Sequence, residues 1–259
     1  MIRFFPLALW LLVTWLSTDH TIQAQVYDHE PYYKGYTWGL KGGPTLMRQS
    51  GHYRTRGTAY GYHLALYRES YDSRSPSRIY FQIGYHQRGS SLTRFYFGSL
   101  KNIANRAFQF DNPKFLYHNA SLQIGIKTTQ QLYEQLSGYV GIGLRGEYTF
   151  KTNLDTYAKV NEEYGFPVYP DPALLRHYLY GFSLLLGTTL WELDPQQYEI
   201  FAELGIHQDV ALQYYQPPLR GRFIDPYTGQ PQTLNEIKMR NFSIELSIGV
   251  RIYRLYVYE

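Results

Sequence analysis

The residues of this chain that are best suited to chemistry lie on one alternating segment, residues 198–213. Glu199, Glu203 and His207 follow one another at intervals of four, and Asp209 comes two residues later. Carboxylates and imidazoles can transfer protons or ligate metal ions. In a strand, residues four apart share one face but lie about 13 Å apart, because each residue advances about 3.3 Å. These side chains cannot bind one metal ion together, and we predict neither a metal site nor a cofactor.

No other motif indicates catalysis. A serine hydrolase would bring Ser, His and Asp together beside oxyanion donors, but no Gly-x-Ser-x-Gly elbow occurs in the sequence. The chain has no cysteine, so thiol nucleophiles, thiolate metal sites and disulfides are excluded. Gly138–Gly146 is glycine-rich but lacks the Lys-Ser/Thr pair of a phosphate loop. We predict a non-enzymatic protein and keep enzymatic activity as a less favoured alternative.

The first residues have the features of a secretory signal. Arg3 precedes the apolar run Phe4–Leu16, and Ile22-Gln23-Ala24 offers a cleavage site. We predict a signal peptide at 1–24, removed near Ala24, and a short periplasmic lead-in at 25–35. The formal charge of +4 is too dispersed to suggest nucleic acid as a partner. The sequence therefore predicts an exported protein.

Apolar and polar residues alternate along most of the remaining chain, a pattern that indicates strands. Beyond the signal there is no apolar run of about 18 residues, so only strands could cross a membrane. The connections are alternately short and long, as in membrane barrels with small periplasmic turns and larger external loops. We predict an all-β fold, an eight-stranded antiparallel up-and-down transmembrane β-barrel over 36–259. Its strands are expected near 36–48, 57–68, 78–89, 114–127, 136–150, 177–191, 198–213 and 241–254.

The orientation of the two faces needs separate evidence, because a soluble lipocalin-like barrel alternates in the same way. Glycines recur on the polar face, and a narrow eight-stranded lumen needs small residues beside large ones. Five cations and five carboxylates also share this face, and a buried lumen requires such a balance because unpaired buried charges cost several kcal/mol. We predict a lumenal salt-bridge and hydrogen-bond network, with a proton or ion pathway as the alternative. Its members are Lys41, Arg88, Lys127, Arg145, Glu147, Glu199, Glu203, His207, Asp209, Glu245 and Arg251.

The long connections mix aromatic and cationic residues, a composition that suits contact with proteins, saccharides or lipopolysaccharide phosphates. Barrels supply rigidity and loops supply recognition. The alternative is that these side chains lie at the headgroup level and cap the barrel. The candidate contact residues are Arg94, Tyr96, Arg106, Tyr215, Arg220, Arg222, Phe223 and Tyr227.

Four stretches resemble the PorT-like family of eight-stranded outer-membrane β-barrels from gliding and type IX-secreting Gram-negative bacteria. They are "YTWGLKGGPTLM" at 36–47, "IYFQIGYHQRGSS" at 79–91, "YVGIGLRGEYTF" at 139–150 and "FSIELSIGVRIY" at 242–253. The resemblance covers essentially all of the mature chain. It implies location in the outer membrane of a Gram-negative cell. It also implies contact with outer-membrane lipid, lipopolysaccharide and the barrel assembly machinery.

Two functions of different classes follow from these features. The first is a non-enzymatic structural or interaction barrel, accessory to protein secretion or envelope assembly and in contact with other envelope or secretion proteins. The second is a barrel for permeation or transport of small solutes, although eight strands leave little room for an open pore. A soluble lipocalin-like ligand-binding barrel and an outer-membrane enzyme are the less favoured alternatives.

Overall fold

The computed structural model describes residues 32–51, 56–92, 95–97, 108–110, 113–133, 136–164, 169–194, 198–224 and 231–258. The predicted signal peptide at 1–24 and residues 25–31 of the predicted lead-in lie outside this part of the chain.

Eight long strands form one closed antiparallel ring. Each strand pairs with the next along the chain, and the last pairs with the first. This arrangement confirms the predicted eight-stranded up-and-down transmembrane barrel. The strands are β1 Tyr32–Gly51, β2 Ala59–Asp72, β3 Ser77–Leu92, β4 Lys114–Tyr133, β5 Leu136–Thr152, β6 Tyr178–Asp194, β7 Tyr198–Asp209 and β8 Ile237–Tyr258.

Short and long connections alternate around the ring, as the sequence predicts. The short connections, between β2 and β3, between β4 and β5 and between β6 and β7, lie at one end, which we call the turn end, and residues 73–76 form the first of them. The longer connections lie at the opposite end, the loop end, and carry the other elements that the structure describes. These are helix α1 Asp155–Tyr164, the 3-10 helix Pro172–Leu174, and the short strands Arg56–Gly57, Phe95–Phe97, Phe108–Phe110, Tyr214–Gln216, Leu219–Ile224 and Pro231–Leu234.

In the described part of the chain, neither α1 nor the 3-10 helix has the length and apolar character needed to cross a bilayer.

The first and last strands extend further than the sequence pattern indicates. β1 begins at Tyr32, inside the segment predicted as lead-in, and β8 continues past Arg254 to Tyr258. The two extensions lie against each other, because a Cβ atom at Gly35 would fall 2.0 Å from the backbone oxygen of Arg254. Pairing between the chain ends therefore overrides the local break in alternation at Arg254.

The apolar face of every strand points out of the barrel. Ile142 and Ile248, for example, are 58% and 64% exposed. A soluble lipocalin-like barrel would have the reverse arrangement, with its apolar face lining the interior. A continuous apolar exterior is stable only against hydrocarbon. The barrel therefore faces lipid with its outer surface and encloses its polar side chains.

Aromatic rings fill much of the lumen, and glycines make space for them. A Cβ atom at Gly39 would lie 2.1 Å from the ring of Tyr67, and one at Gly187 would lie 2.1 Å from the ring of Tyr139. Real Cβ contacts are never this short, so a larger residue would displace the ring. The glycines of the polar face thus have the packing role that the sequence suggests.

Candidate functional site

The structure places all eleven residues predicted for the lumen inside the barrel. Each is at most 5% exposed, and most are joined to one another across the barrel axis. Ten of them divide into a turn-side cluster and a loop-side cluster, and Asp209 lies apart from both. The turn-side cluster contains Lys41, Lys127, Glu199, Glu203 and Arg251 together with Glu69, and the loop-side cluster contains Arg88, Arg145, Glu147, His207 and Glu245 together with His86.

Glu203 on β7 is the centre of the turn-side cluster. It forms an ion pair with Lys41 from β1, and its second oxygen lies 3.2 Å from the Lys127 ammonium of β4. The Tyr139 hydroxyl donates a third hydrogen bond to it at 2.6 Å. Side chains from β1, β4 and β5 are therefore tied to one carboxylate on β7.

The other members of this cluster extend the network toward the turn end. Lys127 lies 2.5 Å from Glu69, and Arg251 contacts both oxygens of Glu199 at 3.0 and 3.1 Å. The Lys127 ammonium also lies 4.7–5.0 Å from the ring centres of three tyrosines, a distance at which cation–π attraction is substantial. These rings are Tyr67, Tyr80 and Tyr139.

Two carboxylates organise the loop-side cluster. Glu147 accepts a hydrogen bond from Arg88 at 2.7 Å and lies 2.5 Å from Arg145. Glu245 lies 2.8 Å from His86, with Arg145 at 3.5 Å from the same oxygen. Arg145 therefore bridges the two carboxylates, and cations from β3 and β5 are paired in the lumen.

Histidines connect this cluster into a chain across the barrel. His86 and His207 contact the two different oxygens of Glu245, at 2.8 and 3.1 Å. The second ring nitrogen of each histidine meets a serine hydroxyl, Ser121 at 2.5 Å and Ser183 at 2.8 Å. Five strands thus contribute to one chain of close polar contacts, in which the His207 nitrogen nearest Glu245 makes no hydrogen bond. Such a chain can fix the orientation of each group and can hold a proton.

Asp209 closes the network at the loop end of β7. Its carboxylate accepts a hydrogen bond at 2.8 Å from Asn241, and the same amide donates to Gln213 at 2.8 Å. Among the described residues no cation lies within ion-pair distance of this carboxylate. The carboxylate of Asp209 is therefore bonded to a neutral amide and not to a cation.

Glu69 is a lumenal residue that the sequence analysis missed. It is 1% exposed and contacts Lys127 and Arg251. It lies just past the predicted end of the second segment at residue 68, although it continues the inward face through His63 and Tyr67. Extending the segment by one residue would have found it. Among the residues that the structure describes, the lumen therefore holds six carboxylates beside five cations and three histidines, so the expected balance of five to five is wrong.

In the described residues no group of three or more His, Asp or Glu side chains has the geometry of a metal site. His86, His207 and Glu245 converge, but they bind one another and Arg145.

A second structured region covers the loop end beside β3 and β4. Six buried side chains form a small apolar core there, and Tyr157 of α1 packs against it. Asn153 attaches the start of α1 to β4, because its side chain accepts from the Leu116 amide at 2.8 Å and donates to the Lys114 carbonyl at 2.7 Å. We call this region the loop cap. Its core residues are Leu92, Phe115, Tyr117, Leu154, Tyr169 and Leu175.

Tyr157 adds a polar contact to the loop cap. Its hydroxyl donates to the Lys114 carbonyl at 3.1 Å, and burial raises the pKa of this phenol above its usual value. The phenol therefore remains protonated at neutral pH and continues to donate.

Replacing Leu154 by Ala should loosen the loop cap without unfolding the barrel. Leu154 is fully buried, and removing its side chain should cost about 2–3 kcal/mol of local stability. Local opening should then expose Lys159 in α1 to trypsin. We expect faster cleavage there by mass spectrometry, with unchanged heat-dependent mobility of the barrel on gels. Glu162→Ala, at an exposed α1 position, is the control. Equal cleavage of the two variants would contradict the packing role of Leu154.

The structure describes only some of the eight loop residues that were predicted to contact partners. Tyr215 is half-buried on the short strand Tyr214–Gln216, and the Lys238 ammonium lies 5.8 Å from its ring centre. Tyr96, Arg220, Arg222 and Phe223 lie on short strands of which only the backbone is described. Arg94, Arg106 and Tyr227 lie outside the described residues. Their roles in recognition remain predictions.

Comparison with known proteins gives similarity at the level of structure. No protein family matches the sequence, and no curated protein sequence matches it. The crystal structure of Neisserial surface protein A is 12% identical, with 85% of this chain and 97% of that chain covered and a TM-score of 0.43. The outer membrane protein OprG from Pseudomonas aeruginosa is 9% identical, with coverage of 85% and 98% and a TM-score of 0.46.

A third solved structure is Ail, the attachment invasion locus protein of Yersinia pestis, in complex with the heparin analogue sucrose octasulfate. It is 12% identical, with coverage of 83% and 98% and a TM-score of 0.35. The strand pairing and the apolar exterior of this chain themselves establish its fold.

Proposed function

We propose that this protein is a non-enzymatic outer-membrane β-barrel with a structural or interaction role, accessory to protein secretion or envelope assembly. Membership of the PorT-like family and a Gram-negative outer-membrane location, reached after cleavage near Ala24, belong to the same proposal. The observation that carries it is the lumenal network, in which ion pairs connect opposite walls of the barrel. A lumen filled in this way is better suited to stiffen the barrel than to let solutes pass through it.

The contacts of Glu203 illustrate why a rigid core is favoured. Its carboxylate is 2% exposed and is held by two ammonium groups and one phenol. A solute crossing this level would have to separate buried opposite charges, and breaking one such pair costs about 3–5 kcal/mol. The rings of Tyr67, Tyr80 and Tyr139 occupy the same level. Permeation of small solutes is therefore the less favoured function.

Planar-bilayer recording separates these two functions. The reconstituted protein should give no stable single-channel conductance, because the charged and aromatic side chains fill the lumen between the turn end and the loop end. A porin inserted under the same conditions is the positive control. Reproducible unitary currents from the wild-type protein would establish the permeation function in place of the structural one.

The interaction role is supported by the loop cap. Its buried core and the hydrogen bonds of Asn153 hold α1 and residues 169–177 in a defined arrangement at the loop end of the barrel. Rigid barrels with ordered loops present recognition surfaces at low entropic cost. We propose that partners from the envelope or the secretion apparatus bind at this end, while the barrel assembly machinery inserts the chain.

Affinity purification from native membranes tests the interaction role directly. Extraction in several mild detergents, followed by cross-linking and mass spectrometry, should recover the same defined envelope partner each time. The Leu154→Ala variant should lose part of that partner if the loop cap is the contact surface. A wild-type protein recovered alone in every detergent would contradict the proposed role.

A further inference from the structure

The last residues of β8 form a strand edge at the turn end that the closed ring does not use. On its β7 side, β8 is paired as far as Ile252, which lies opposite Tyr198, the first residue of β7. The strand itself continues to Tyr258. Among the described residues only β1 pairs with β8 along this last stretch, so residues 253–258 have a strand neighbour on one side alone. We call these six residues the projecting edge.

The backbone of the projecting edge can pair with a further strand. In an antiparallel sheet, successive residues direct their N–H and C=O groups alternately to one neighbouring strand and to the other. Every second residue of the projecting edge therefore presents both groups on the side where β7 has ended. Six residues of strand span about 20 Å, a length sufficient to pair with a short extended peptide.

The sequence of the projecting edge lacks the features that normally prevent such pairing. Exposed edges are usually kept very short or are protected by proline, by bulges or by several charged side chains. The projecting edge reads YRLYVY, with no proline, no glycine and one charged residue, Arg254. Tyrosine and valine are also among the residues most enriched in strands. This segment therefore favours the addition of another strand.

The exposed side chains indicate what kind of strand would fit. Val257 shares the lumenal face of β8 with Tyr253 and Leu255, yet it is 57% exposed. On the opposite face Arg254 is exposed, and no described carboxylate lies within ion-pair distance of it. An added strand would place an apolar side chain beside Val257 and an acidic one beside Arg254.

A second arginine makes the outer face at this level more positive. The Arg68 guanidinium of β2 lies 4.3 Å from the ring centre of Tyr36, and the Tyr36 hydroxyl is within hydrogen-bonding reach of Arg254. Asp72, near the same end of β2, lies opposite Lys34 in the strand register and offsets that cation instead. The charge that faces an added strand is therefore positive, which favours an acidic partner.

We propose that the projecting edge binds an extended segment of a periplasmic protein, which adds a strand beside β8 at the turn end. The segment alternates acidic and apolar residues, with the acidic ones on the face of Arg254 and the apolar ones on the face of Val257. Main-chain hydrogen bonds supply the affinity, and the two faces supply the selectivity.

This inference rests on the proposed outer-membrane location, with the turn end facing the periplasm. It concerns a different surface from the loop cap, and it can be tested with the purified barrel and a synthetic peptide. Failure of the peptide to bind would leave the interaction role of the loop cap untouched. Failure to recover a partner at the loop cap would likewise leave the projecting edge untouched.

Hydrogen exchange resolved by residue tests whether the projecting edge is free. In the full-length protein in zwitterionic lipid nanodiscs, every second amide between 253 and 258 should exchange at least about tenfold faster than the amide of Ile248, which is paired within the ring. Slow exchange of all six amides in the protein alone would overturn the proposal. The edge would then be occupied by another part of this chain.

A synthetic peptide of about ten alternating Val and Glu residues is the probe, and a Val and Lys peptide is its charge-reversed control. Fluorescence anisotropy should show about fivefold tighter binding of the Val-Glu peptide, the effect of one favourable cross-strand charge pair. The bound peptide should also slow the exchange of the projecting-edge amides. Equal binding of the two peptides, or binding that leaves those amides unprotected, would overturn the proposal.

Two variants locate the binding surface. Arg254→Glu should reverse the preference, so that the Val-Lys peptide binds about fivefold tighter than the Val-Glu peptide. Val257→Lys should weaken binding of the Val-Glu peptide about fivefold, because a lysine on an exposed edge opposes the addition of a strand. Heat-dependent mobility on gels checks that both variants remain folded.

The matched control lies at the other end of the same strand. Arg240→Glu reverses an exposed cation at the loop end of β8 and should keep the wild-type preference, since surface changes remote from the site have small effects. Wild-type preference in the folded Arg254→Glu variant, together with undiminished binding by Val257→Lys, would overturn the proposed site.

Discussion

Replacing Glu203 by Gln should lower the free energy of unfolding of the barrel by about 3–5 kcal/mol. Glu203 is shared between Lys41 and Lys127, and all three groups are buried in the lumen. The substitution preserves the shape of the side chain but removes its charge. Lys41 then has no carboxylate partner, because Lys127 alone keeps a second one in Glu69. A buried ammonium without a counter-charge is the source of the expected loss.

Urea unfolding in lipid vesicles, followed by tryptophan fluorescence and by mobility on unheated gels, measures this effect. Glu236→Gln is the matched control, because Glu236 forms its ion pair with Lys238 on the surface, where the two side chains are 40% and 42% exposed. An exposed pair contributes only about 0–1 kcal/mol. Equal destabilisation by the two substitutions would contradict the role of Glu203 as the centre of the turn-side cluster.

A second variant distinguishes loss of charge pairing from loss of shape. Lys41→Met in the Glu203→Gln background removes the unpaired ammonium while Lys127 remains paired with Glu69. The double variant should therefore be more stable than Glu203→Gln alone, since replacing a buried ion pair by neutral groups is often nearly neutral. A double variant that is less stable than the single one would indicate that Lys41 acts through its packing and not through its charge.

The strand pattern was predictable because a barrel wall imposes two environments on every strand. In β8, for example, Leu246 faces lipid and its neighbour Glu245 faces the lumen. Alternation of apolar and polar residues along the sequence is therefore enough to predict the strands. The strand ends were less predictable. β8 continues six residues past Ile252, its last partner residue on β7, because it also pairs with β1, a contact between opposite ends of the chain.

The same alternation predicts which side chains face the lumen. It does not predict which of these side chains contact one another. Glu245 pairs with His86 and His207, which lie on strands far apart in the sequence. Their contact depends on the register and tilt of the closed barrel, which no local pattern encodes. The loop cap was missed for a related reason. Leu92, Leu154 and Tyr169 come from separate connections and form a core only after the barrel has brought those connections together.

Glycine positions inside the barrel allow a direct test of how tightly the lumen is packed. Gly187→Val should destabilise the barrel by about 3 kcal/mol or more, because overpacking a filled interior costs about 1–3 kcal/mol even for modest insertions. The nearest atoms to a new Cβ at Gly187 all belong to Tyr139, the closest at 2.1 Å. Tyr139 cannot move aside freely, since its hydroxyl is bonded to Glu203 and Lys127 lies over its ring.

The same unfolding assay, applied to a double-mutant cycle, assigns the effect of Gly187→Val to this contact. In a Tyr139→Leu background the ring is absent, so Gly187→Val should add little to the loss already caused by Tyr139→Leu. Gly146→Val is the control at an outward glycine, where a Cβ would meet nothing within 4 Å and the change should stay within about 0.5 kcal/mol. Additive effects of the two lumenal substitutions would refute the steric coupling of Gly187 to Tyr139. Strong coupling would mean that glycines facing the lumen are needed to let aromatic rings fill the barrel, which is also why the lumen is expected not to conduct.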